Sequence, residues 1–382
     1  MPRPPGPCSA VDQMPGAVFS RIAHKVAALP PESVYPLHVG DTWMEPAPGC
    51  RMEDFTVARH PGMHRYSSPQ GLPALVDAVV DKTRASGLPT ERGGVLVTAG
   101  CTGALGAALG SILEPDEEVL ILAPFWPLIR GIVQAFRGKP VEVPFYDRLA
   151  SVEAAVQAVR ARITPRTVAL YVSTPSNPTG RIIPEACMQA LAELAREHDL
   201  WILSDEVYEL YSWGAPHTYM GALAPERTFS AFSFSKGHGM SGNRTGYLVG
   251  PPAAVAQARK VSTHTFYSAP TSGQLAGIEV LQRGQAWVDE ARTLYRAAGE
   301  AMADTLGVRR PDGSTFLFLD VAPKLDERGI WGFLEDCLDD GLVLAPGPSF
   351  GTGYETCVRI CFTSAPPERA AEAARLLAAR LR

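Results

Sequence analysis

Two apolar runs with a helical pattern between them form the segment TVALYVSTPSNPTGRIIPEACMQALAELAREHDLWILSDEVY, residues 167–208. Residues 167–173 and 201–203 are short and apolar, which is typical of buried strands. From Pro184 to Asp199 apolar residues recur at steps of three and four, which predicts a helix, and Pro184 suits its first turn. The segment is therefore a strand–helix–strand unit of the kind that builds a mainly parallel sheet.

The same alternation of strands and helices continues on both sides of this segment. Further strands are predicted over residues 95–98, 118–123, 141–144 and 229–234. Further helices are predicted over residues 17–28, 71–86, 102–113, 127–137 and 152–162. After residue 275 the pattern changes to a long helix over 271–306, strands over 316–321, 342–345 and 358–362, and helices over 331–340 and from 367 onwards. We expect a large α/β domain over residues 45–275 and a smaller α+β domain from residues 1–44 with 276–382, since chain ends commonly lie close together.

The composition is that of an ordinary globular protein. Of the 382 residues, 46% are hydrophobic and 20% are charged, which excludes a disordered tail protein and a fibrous repeat. The formal net charge is −5, so the chain lacks the basic surface that nucleic acid or an anionic membrane attracts. We expect neither as a partner.

The cysteines indicate a reducing compartment. There are seven of them, an odd number with no C-x-x-C spacing, so neither a metal site nor a disulfide framework is expected. The first ten residues are rich in proline and have no apolar core of a signal peptide, and no apolar stretch is long enough to span a membrane. These features predict a cytoplasmic protein without a bound metal.

The predicted sheet places a ligand site at the carboxyl ends of its strands. Four polar or glycine-containing segments each follow a predicted strand: AGCTGAL (99–105), STPSNPTG (173–180), SDEVY (204–208) and SFSKGHGMSGNR (233–244). We therefore expect these four segments to meet around one ligand.

Each segment has a chemical interpretation and a plainer alternative. The turn at residues 100–103 opens a helix and can hold a phosphate through its N–H groups, or it is an ordinary strand–helix turn. Asp205 can pair with a protonated ring nitrogen, or it caps a helix. Lys236 can act as a nucleophile or base, or it is an exposed loop lysine. Arg244, eight residues after Lys236, can donate two parallel hydrogen bonds from its guanidinium to a phosphate.

Three motifs in this order carry a resemblance to a known family. S-x-S-K-x-x-x-x-x-G-x-R matches residues 233–244, N-P-T-G matches residues 177–180, and D-E-x-Y matches residues 205–208. Asp205 follows Asn177 by 28 residues and precedes Lys236 by 31 residues, and both spacings fit the family. From about residue 37 to residue 362 the chain resembles the class I/II aminotransferases, which are pyridoxal phosphate enzymes of fold type I.

The resemblance implies a fold, a cofactor and a reaction. The large domain is expected to hold a mainly parallel sheet of the seven-stranded type, flanked by helices, beside a smaller α+β domain. The cofactor is expected to be pyridoxal 5′-phosphate, and the reaction the transfer of an amino group between an L-α-amino acid and a 2-oxo acid. A homodimer with shared active sites is also implied.

The resemblance assigns roles to the residues of these motifs. Lys236 is expected to hold the cofactor as an internal aldimine and then to move the proton between Cα and C4′. Asp205 is expected to keep the pyridine nitrogen protonated, Asn177 and Tyr208 to contact the ring oxygen O3′, and Trp126 to stack on the ring. The residues expected to hold the phosphate are Gly100, Cys101, Thr102, Ser233 and Arg244, and Ser235 is also expected to bind the cofactor.

Further residues are assigned to the substrate and to the neighbouring subunit. Arg359 is expected to clamp the substrate α-carboxylate, with Gly40 and Asn177 beside it; otherwise it is an exposed strand arginine. In the strand 358–362, alternation sends Arg359 to the face opposite its two neighbours. Tyr66 is expected to reach the phosphate of the neighbouring subunit; otherwise it is an ordinary loop aromatic.

Other functions of the same fold stay open at this point. β-Elimination, decarboxylation, racemisation and amine oxidation use the same cofactor and the same motifs. A regulator with an aminotransferase-like domain needs an N-terminal DNA-binding module, for which no room is expected before residue 37. An inactive homologue is disfavoured because the motifs are complete. Thr42, Cys101 and Asn243 depart from the usual pattern and leave the side-chain specificity open. No second arginine is assigned to a distal carboxylate, which favours a neutral or aromatic substrate.

Overall fold

A computed structural model describes residues 5–6, 8–12, 14, 16 and 23–382. The part of the predicted helix 17–28 that precedes residue 23 lies outside these described residues. The helices are α1 (Ser9–Asp12), α2 (Ala23–Ala27), α3 (Pro73–Ala85), α4 (Gly100–Ile112), α5 (Leu128–Ala135), α6 (Val152–Arg160), α7 (Glu185–Glu197), α8 (Met220–Leu223), α9 (Pro252–Thr265), α10 (Thr271–Arg283), α11 (Gln285–Leu306), α12 (Gly329–Leu338) and α13 (Pro367–Arg380). The strands are β1 (Val95–Thr98), β2 (Glu118–Ala123), β3 (Lys139–Pro144), β4 (Thr167–Ser173), β5 (Trp201–Asp205), β6 (Thr228–Ser233), β7 (Gly246–Val249), β8 (Phe316–Asp320), β9 (Ala345–Pro346) and β10 (Cys357–Cys361).

A seven-stranded sheet forms the larger part of the protein, in the order β1-β7-β6-β5-β4-β2-β3. Strands β3, β2, β4, β5 and β6 run parallel, whereas β7 is antiparallel to both of its neighbours. The register pairs Ser173 at the end of β4 with Asp205 at the end of β5, and Asp205 with Ala231 on β6. The predicted mixed α/β fold with a mainly parallel sheet is confirmed.

Helices cover both faces of this sheet, and the strands alternate between the two cores. On β4, Ala169 and Tyr171 pack into the core beneath α4, α5 and α9, while Leu170 and Val172 pack into the core beneath α6 and α7. Both faces are buried, which is why these strands appear as continuous apolar runs in the sequence. Among the described residues, no helix combines the length and the apolar character that crossing a membrane requires.

A second, three-stranded antiparallel sheet has the order β8-β10-β9. Val358 and Ile360 of β10 face a separate core that includes residues of α11, α12 and α13. Arg359 lies between them and faces the other way, as the alternation predicts. The chain near residue 35 joins this unit, because Tyr35 bridges Leu342 and contributes to the same core.

The structure corrects three details of the predicted elements. Strand β7 was not predicted, because it joins β6 in antiparallel fashion through a loop, without the crossover helix that marks the other strands. The helix predicted over 271–306 is interrupted at Gly284, the residue type with a low helix propensity, and becomes α10 and α11. The strand predicted over 342–345 is reduced to the two residues of β9 and an isolated bridge at Leu342.

Candidate active site

The carboxyl ends of β4, β5 and β6, the start of α4 and one face of the small sheet surround a cavity of about 410 Å³. Twelve of the fourteen residues proposed from the sequence line it: Gly40, Cys101, Thr102, Trp126, Asn177, Asp205, Tyr208, Ser233, Ser235, Lys236, Arg244 and Arg359. The parallel strands explain this convergence, because their carboxyl ends lie at one edge of the sheet.

Asp205 is a buried carboxylate at the bottom of the cavity. Its Oδ2 accepts a hydrogen bond of 2.6 Å from the Tyr171 hydroxyl, and its Oδ1 accepts one of 3.2 Å from the backbone N–H of Val207. The thiol of Cys101 lies 3.7 Å from Oδ1. Burial raises the pKa of Asp205 to about 6, although these donors act in the opposite direction. A cation placed beside Asp205 would relieve this burial of negative charge.

Lys236 follows β6 and extends its amine into the cavity. Its Nζ lies 3.5 Å from Oδ1 of Asp41, whose Oδ2 also accepts a hydrogen bond of 3.2 Å from Ser241. The side chain of Lys236 is only 15% exposed, so the alternative of an exposed loop lysine is wrong. Its amine is thus held within the cavity by a carboxylate from a distant part of the chain.

Arg359 reaches the cavity from the small sheet. It is 6% exposed, so the alternative of an exposed strand arginine is wrong. Its Nη1 donates a hydrogen bond of 3.0 Å to Oδ1 of Asn177, and its Nη2 donates one to the backbone oxygen of His38. The guanidinium also lies over the rings of Phe316 and Phe350. Its buried Nε has no hydrogen-bond partner in the part of the chain that the structure describes, so a donor is left for a ligand.

Two of the proposed residues do not line the cavity. Gly100 lies just behind it, because a Cβ at that position would lie 2.6 Å from Nη2 of Arg244. Tyr66 is 88% exposed, and its ring packs against that of Tyr267 with the ring centres 5.0 Å apart. The proposed contact of Tyr66 with a neighbouring subunit therefore stays a prediction.

Sequence reasoning missed Asp41 and Tyr171, which contact the two central residues of the site. Asp41 directly follows Gly40, and this adjacency was the one available signal. Tyr171 lies inside an apolar strand, where a buried phenol hydroxyl needs a hydrogen-bond partner. This requirement indicated that a partner exists, but it did not identify Asp205 as that partner.

The comparisons with known proteins agree with this geometry. The family described as "Aminotransferase class I and II" matches residues 41–377. The aspartate/prephenate aminotransferase of Thermus thermophilus is 34% identical over 298 residues, which cover 76% of this chain and 77% of that protein. The arginine–pyruvate transaminase of Pseudomonas aeruginosa is 31% identical and covers 86% of this chain and 85% of that protein.

This chain belongs to the class I and II aminotransferases.

Solved structures of aminotransferases have the same fold. A single mutant of Thermus thermophilus aspartate aminotransferase superimposes with a TM-score of 0.90 at 29% identity, covering 98% of this chain and all of that one. The N-succinyldiaminopimelate aminotransferase of Mycobacterium tuberculosis gives a TM-score of 0.88 at 26% identity with the same coverage. The protein is a pyridoxal phosphate-dependent aminotransferase, which moves an amino group between an amino acid and a 2-oxo acid.

The residues around the cavity fit that cofactor. Cys101 and Thr102 at the start of α4 line the cavity, and the first N–H groups of a helix have no partner within the helix. Arg244 lies close enough to Gly100 that a side chain at this glycine would meet it. Gly100 also has a φ of +74°, which favours glycine. Helix N–H groups and an arginine form a cradle for a phosphate, and Asp205 offers an anion for a protonated ring nitrogen.

The raised pKa of Asp205 gives a test on the cofactor-free enzyme. Between about pH 4 and pH 6 the folded protein holds a proton that the unfolded chain has released, so the ionisation of Asp205 lowers stability as the pH rises through this range. We predict that Asp205→Asn raises the free energy of unfolding by about 2 kcal/mol more at pH 7.5 than at pH 4.5, relative to wild type. Thermal and urea unfolding followed by circular dichroism measures this difference.

The matched control for that experiment is Asp199→Asn, which removes a carboxylate with a side chain that is 96% exposed. The control is expected to show no comparable difference between the two pH values. Equal effects of Asp205→Asn at pH 4.5 and pH 7.5 would contradict the buried, ionisable state of Asp205.

Proposed function

We propose that Lys236, Asp205, Tyr208, Asn177 and Arg359 carry the aminotransferase reaction. The observation that supports this proposal is the convergence of these five residues on one cavity from four separate parts of the chain. When bound, pyridoxal phosphate supplies an aldehyde that condenses with amines and a ring that withdraws electrons from Cα of the amino acid.

Asp205, Asn177 and Tyr208 are proposed to hold the cofactor ring. Asp205 would accept a hydrogen bond from the protonated ring nitrogen and keep it protonated, for which its buried negative charge is suited. The amide of Asn177 and the hydroxyl of Tyr208 would contact the ring oxygen, and Trp126 would cover one ring face. The phosphate would be held by the start of α4 together with hydroxyl and guanidinium donors from Thr102, Ser233, Ser235 and Arg244.

Lys236 is proposed to bind the cofactor covalently through Nζ and then, as a free amine, to move the proton between Cα and C4′. Its position after β6 places the amine inside the cavity, 3.5 Å from the carboxylate of Asp41. A positioned amine that both accepts and returns a proton is a general base and a general acid in turn.

Arg359 is proposed to orient the substrate by its α-carboxylate. A planar guanidinium binds a carboxylate through two parallel hydrogen bonds, and Nε of Arg359 is a buried donor without a partner among the described residues. Asn177, on Nη1, would hold the guanidinium plane toward the cavity.

The side chain of the preferred substrate is proposed to be uncharged. The cations that line the described part of the cavity are Lys236, Arg244 and Arg359, and each has a proposed role. His38 also lines the cavity, but burial and the neighbouring Arg359 lower its pKa to about 4, so it is neutral at pH 7. No described lining residue is left to pair with a distal carboxylate, while Trp126 and Phe350 offer apolar surface.

A homodimer with shared active sites is proposed for the assembly. The exposed ring pair of Tyr66 and Tyr267 supports this, because two aromatic rings in contact on a surface are typical of interfaces. We also propose the division into a large domain (45–275) and a small domain (1–44 with 276–382), which the two separate sheets support. All seven cysteines are unpaired, which supports a cytoplasmic location.

The first test concerns Lys236. We expect Lys236→Ala to abolish turnover but to retain noncovalent cofactor binding, because the ring and phosphate contacts come from other residues. Borohydride reduction of the wild-type holoenzyme followed by peptide mapping is expected to find the cofactor attached to Lys236. Lys139→Ala, a change at a half-exposed lysine outside the cavity, serves as the control, and a label on any lysine other than Lys236 would overturn the assignment.

The second test concerns Arg359. We expect Arg359→Leu to lower kcat/KM for L-phenylalanine by a hundredfold or more, because losing one partner of a desolvated ion pair costs about 2–5 kcal/mol. 2-Phenylethylamine has the same side chain without the carboxylate, so its weak reaction should change little. Wild-type enzyme is also compared on L-phenylalanine and L-aspartate, and a preference for L-aspartate would contradict the uncharged pocket. Full activity of Arg359→Leu on L-phenylalanine would place the carboxylate site elsewhere.

The third test concerns sharing between subunits. Tyr66→Phe is expected to weaken cofactor binding about tenfold, since a hydrogen bond to a charged group is worth about 1.5–3 kcal/mol. In heterodimers of Lys236→Ala and Tyr66→Phe subunits, the site with Lys236 would receive the native Tyr66 of the partner subunit. We therefore expect that site to regain native cofactor affinity and activity. If heterodimers stay as weak as Tyr66→Phe, or if sedimentation finds an active monomer, the shared site is wrong.

A further inference from the structure

Asp205 has a polar neighbour that the proposed reaction does not use. The hydroxyl of Tyr171 lies 2.6 Å from Oδ2 of Asp205, the shortest contact that the carboxylate makes with the described residues. Tyr171 is fully buried and does not line the cavity. An effect of Tyr171 on the reaction would therefore act through Asp205.

The sheet geometry explains how Tyr171 reaches Asp205. Ser173 on β4 pairs with Asp205 on β5, and Tyr171, two residues earlier, pairs with Leu203. Side chains two residues apart on a strand share a face, so Tyr171 and Asp205 occupy diagonal positions on the same face of adjacent strands. A diagonal neighbour lies within reach of an aromatic side chain. Tyr171 is thus held by the strand and by the core around its ring.

The direction of this hydrogen bond is defined by burial. Burial and the nearby charge of Asp205 raise the pKa of the Tyr171 phenol well above its usual value, so it stays protonated and donates. Asp205 is also faced by the thiol of Cys101 from α4, by Glu206 directly after β5, and at longer range by Tyr146. Glu206 disfavours the ionised form of Asp205, whereas Tyr171 and Cys101 favour it.

We propose that Tyr171 is a positioning residue that keeps Asp205 ionised and directed into the cavity, with the Cys101 thiol as a second and weaker donor. This inference rests on the proposed function, in which Asp205 accepts a hydrogen bond from the protonated ring nitrogen of the cofactor. Without the Tyr171 hydroxyl, Oδ2 loses its donor and Asp205 becomes a stronger base. The shared proton then moves from the ring nitrogen toward Asp205, and the ring withdraws electrons less strongly.

The experiment measures directly whether the ring nitrogen is protonated. Wild type, Tyr171→Phe, Cys101→Ala and Asp205→Asn are loaded with pyridoxal phosphate labelled with ¹⁵N in the ring, and the ¹⁵N chemical shift is measured at pH 7.5. We expect the Tyr171→Phe resonance to move toward that of an unprotonated pyridine. A change of one pKa unit in Asp205 corresponds to a factor of ten, so kcat is expected to fall about tenfold while KM for the amino acid changes less than twofold. Cys101→Ala is expected to move the resonance in the same direction by less.

The matched control is Tyr146→Phe. It removes another buried phenol hydroxyl, one that donates to the backbone oxygen of Ser173 and not to Asp205, and it is expected to leave the ¹⁵N shift unchanged. Circular dichroism establishes that each variant is folded, and Cys101→Ala tests the second donor independently of any change in the core around residue 171.

The outcomes separate this inference from the proposed function. If Asp205→Asn leaves the ¹⁵N shift at its wild-type value, Asp205 does not face the ring nitrogen and the proposed function itself fails. If Asp205→Asn moves the resonance but Tyr171→Phe and Cys101→Ala do not, the proposed function stands and the role of Tyr171 is wrong. Equal shifts in Tyr171→Phe and Tyr146→Phe would indicate a general effect of core packing, which also contradicts the inference.

Discussion

The parallel pairing of β4 with β5 is the constraint on which the rest of the site depends. It places Ser173 beside Asp205 at one edge of the sheet, so that the loops after both strands start from the same point. The same pairing brings the hydroxyl of Tyr171 within hydrogen-bond distance of the Asp205 carboxylate. A shift of this register by one residue would turn Asp205 toward the opposite face, because side chains alternate along a strand. Core packing on both faces prevents such a shift.

Two carboxylates in the segment after β5 anchor that segment in the protein interior. Glu206, directly after Asp205, accepts a hydrogen bond from Ser204, and its Oε2 lies 2.6 Å from Nε2 of His217. Glu209, directly after Tyr208, pairs with Lys82 from α3. Asp205 and Tyr208 are therefore each followed by a carboxylate that is anchored in the protein interior. Breaking a buried pair of this kind is strongly destabilising, so the turn is held rigidly.

Arg359 links the two sheets at the cavity. It belongs to β10 of the small sheet, yet its guanidinium bonds Asn177 from the loop after β4 of the large sheet. The backbone oxygen of His38, near the start of the chain, completes the contact. A substrate carboxylate bound to Arg359 would thus contact a residue that already joins the two units, and the position of the small sheet would determine where the substrate lies.

The sequence by itself determined the strands of the large sheet and the motif residues at their ends. The strands β1, β2 and β4 have the predicted boundaries, because their apolar runs are continuous and end at polar or glycine-rich segments. The motif residues could be predicted because each follows its strand directly, and a parallel sheet brings such positions together. The local pattern did not predict β7, which needs no crossover helix, or α9, and it missed the break between α10 and α11 and gave the wrong extent for β9.

The tertiary structure alone decided which side chains touch the central residues. Asp41 reaches Lys236 across 195 residues of sequence, and Tyr171 reaches Asp205 from another strand. The physical reason is that the orientation of a buried side chain depends on the packing of all elements around it. A sequence motif indicates which residue lies at the end of a strand, but it does not indicate which neighbouring side chain influences the ionisation of that residue.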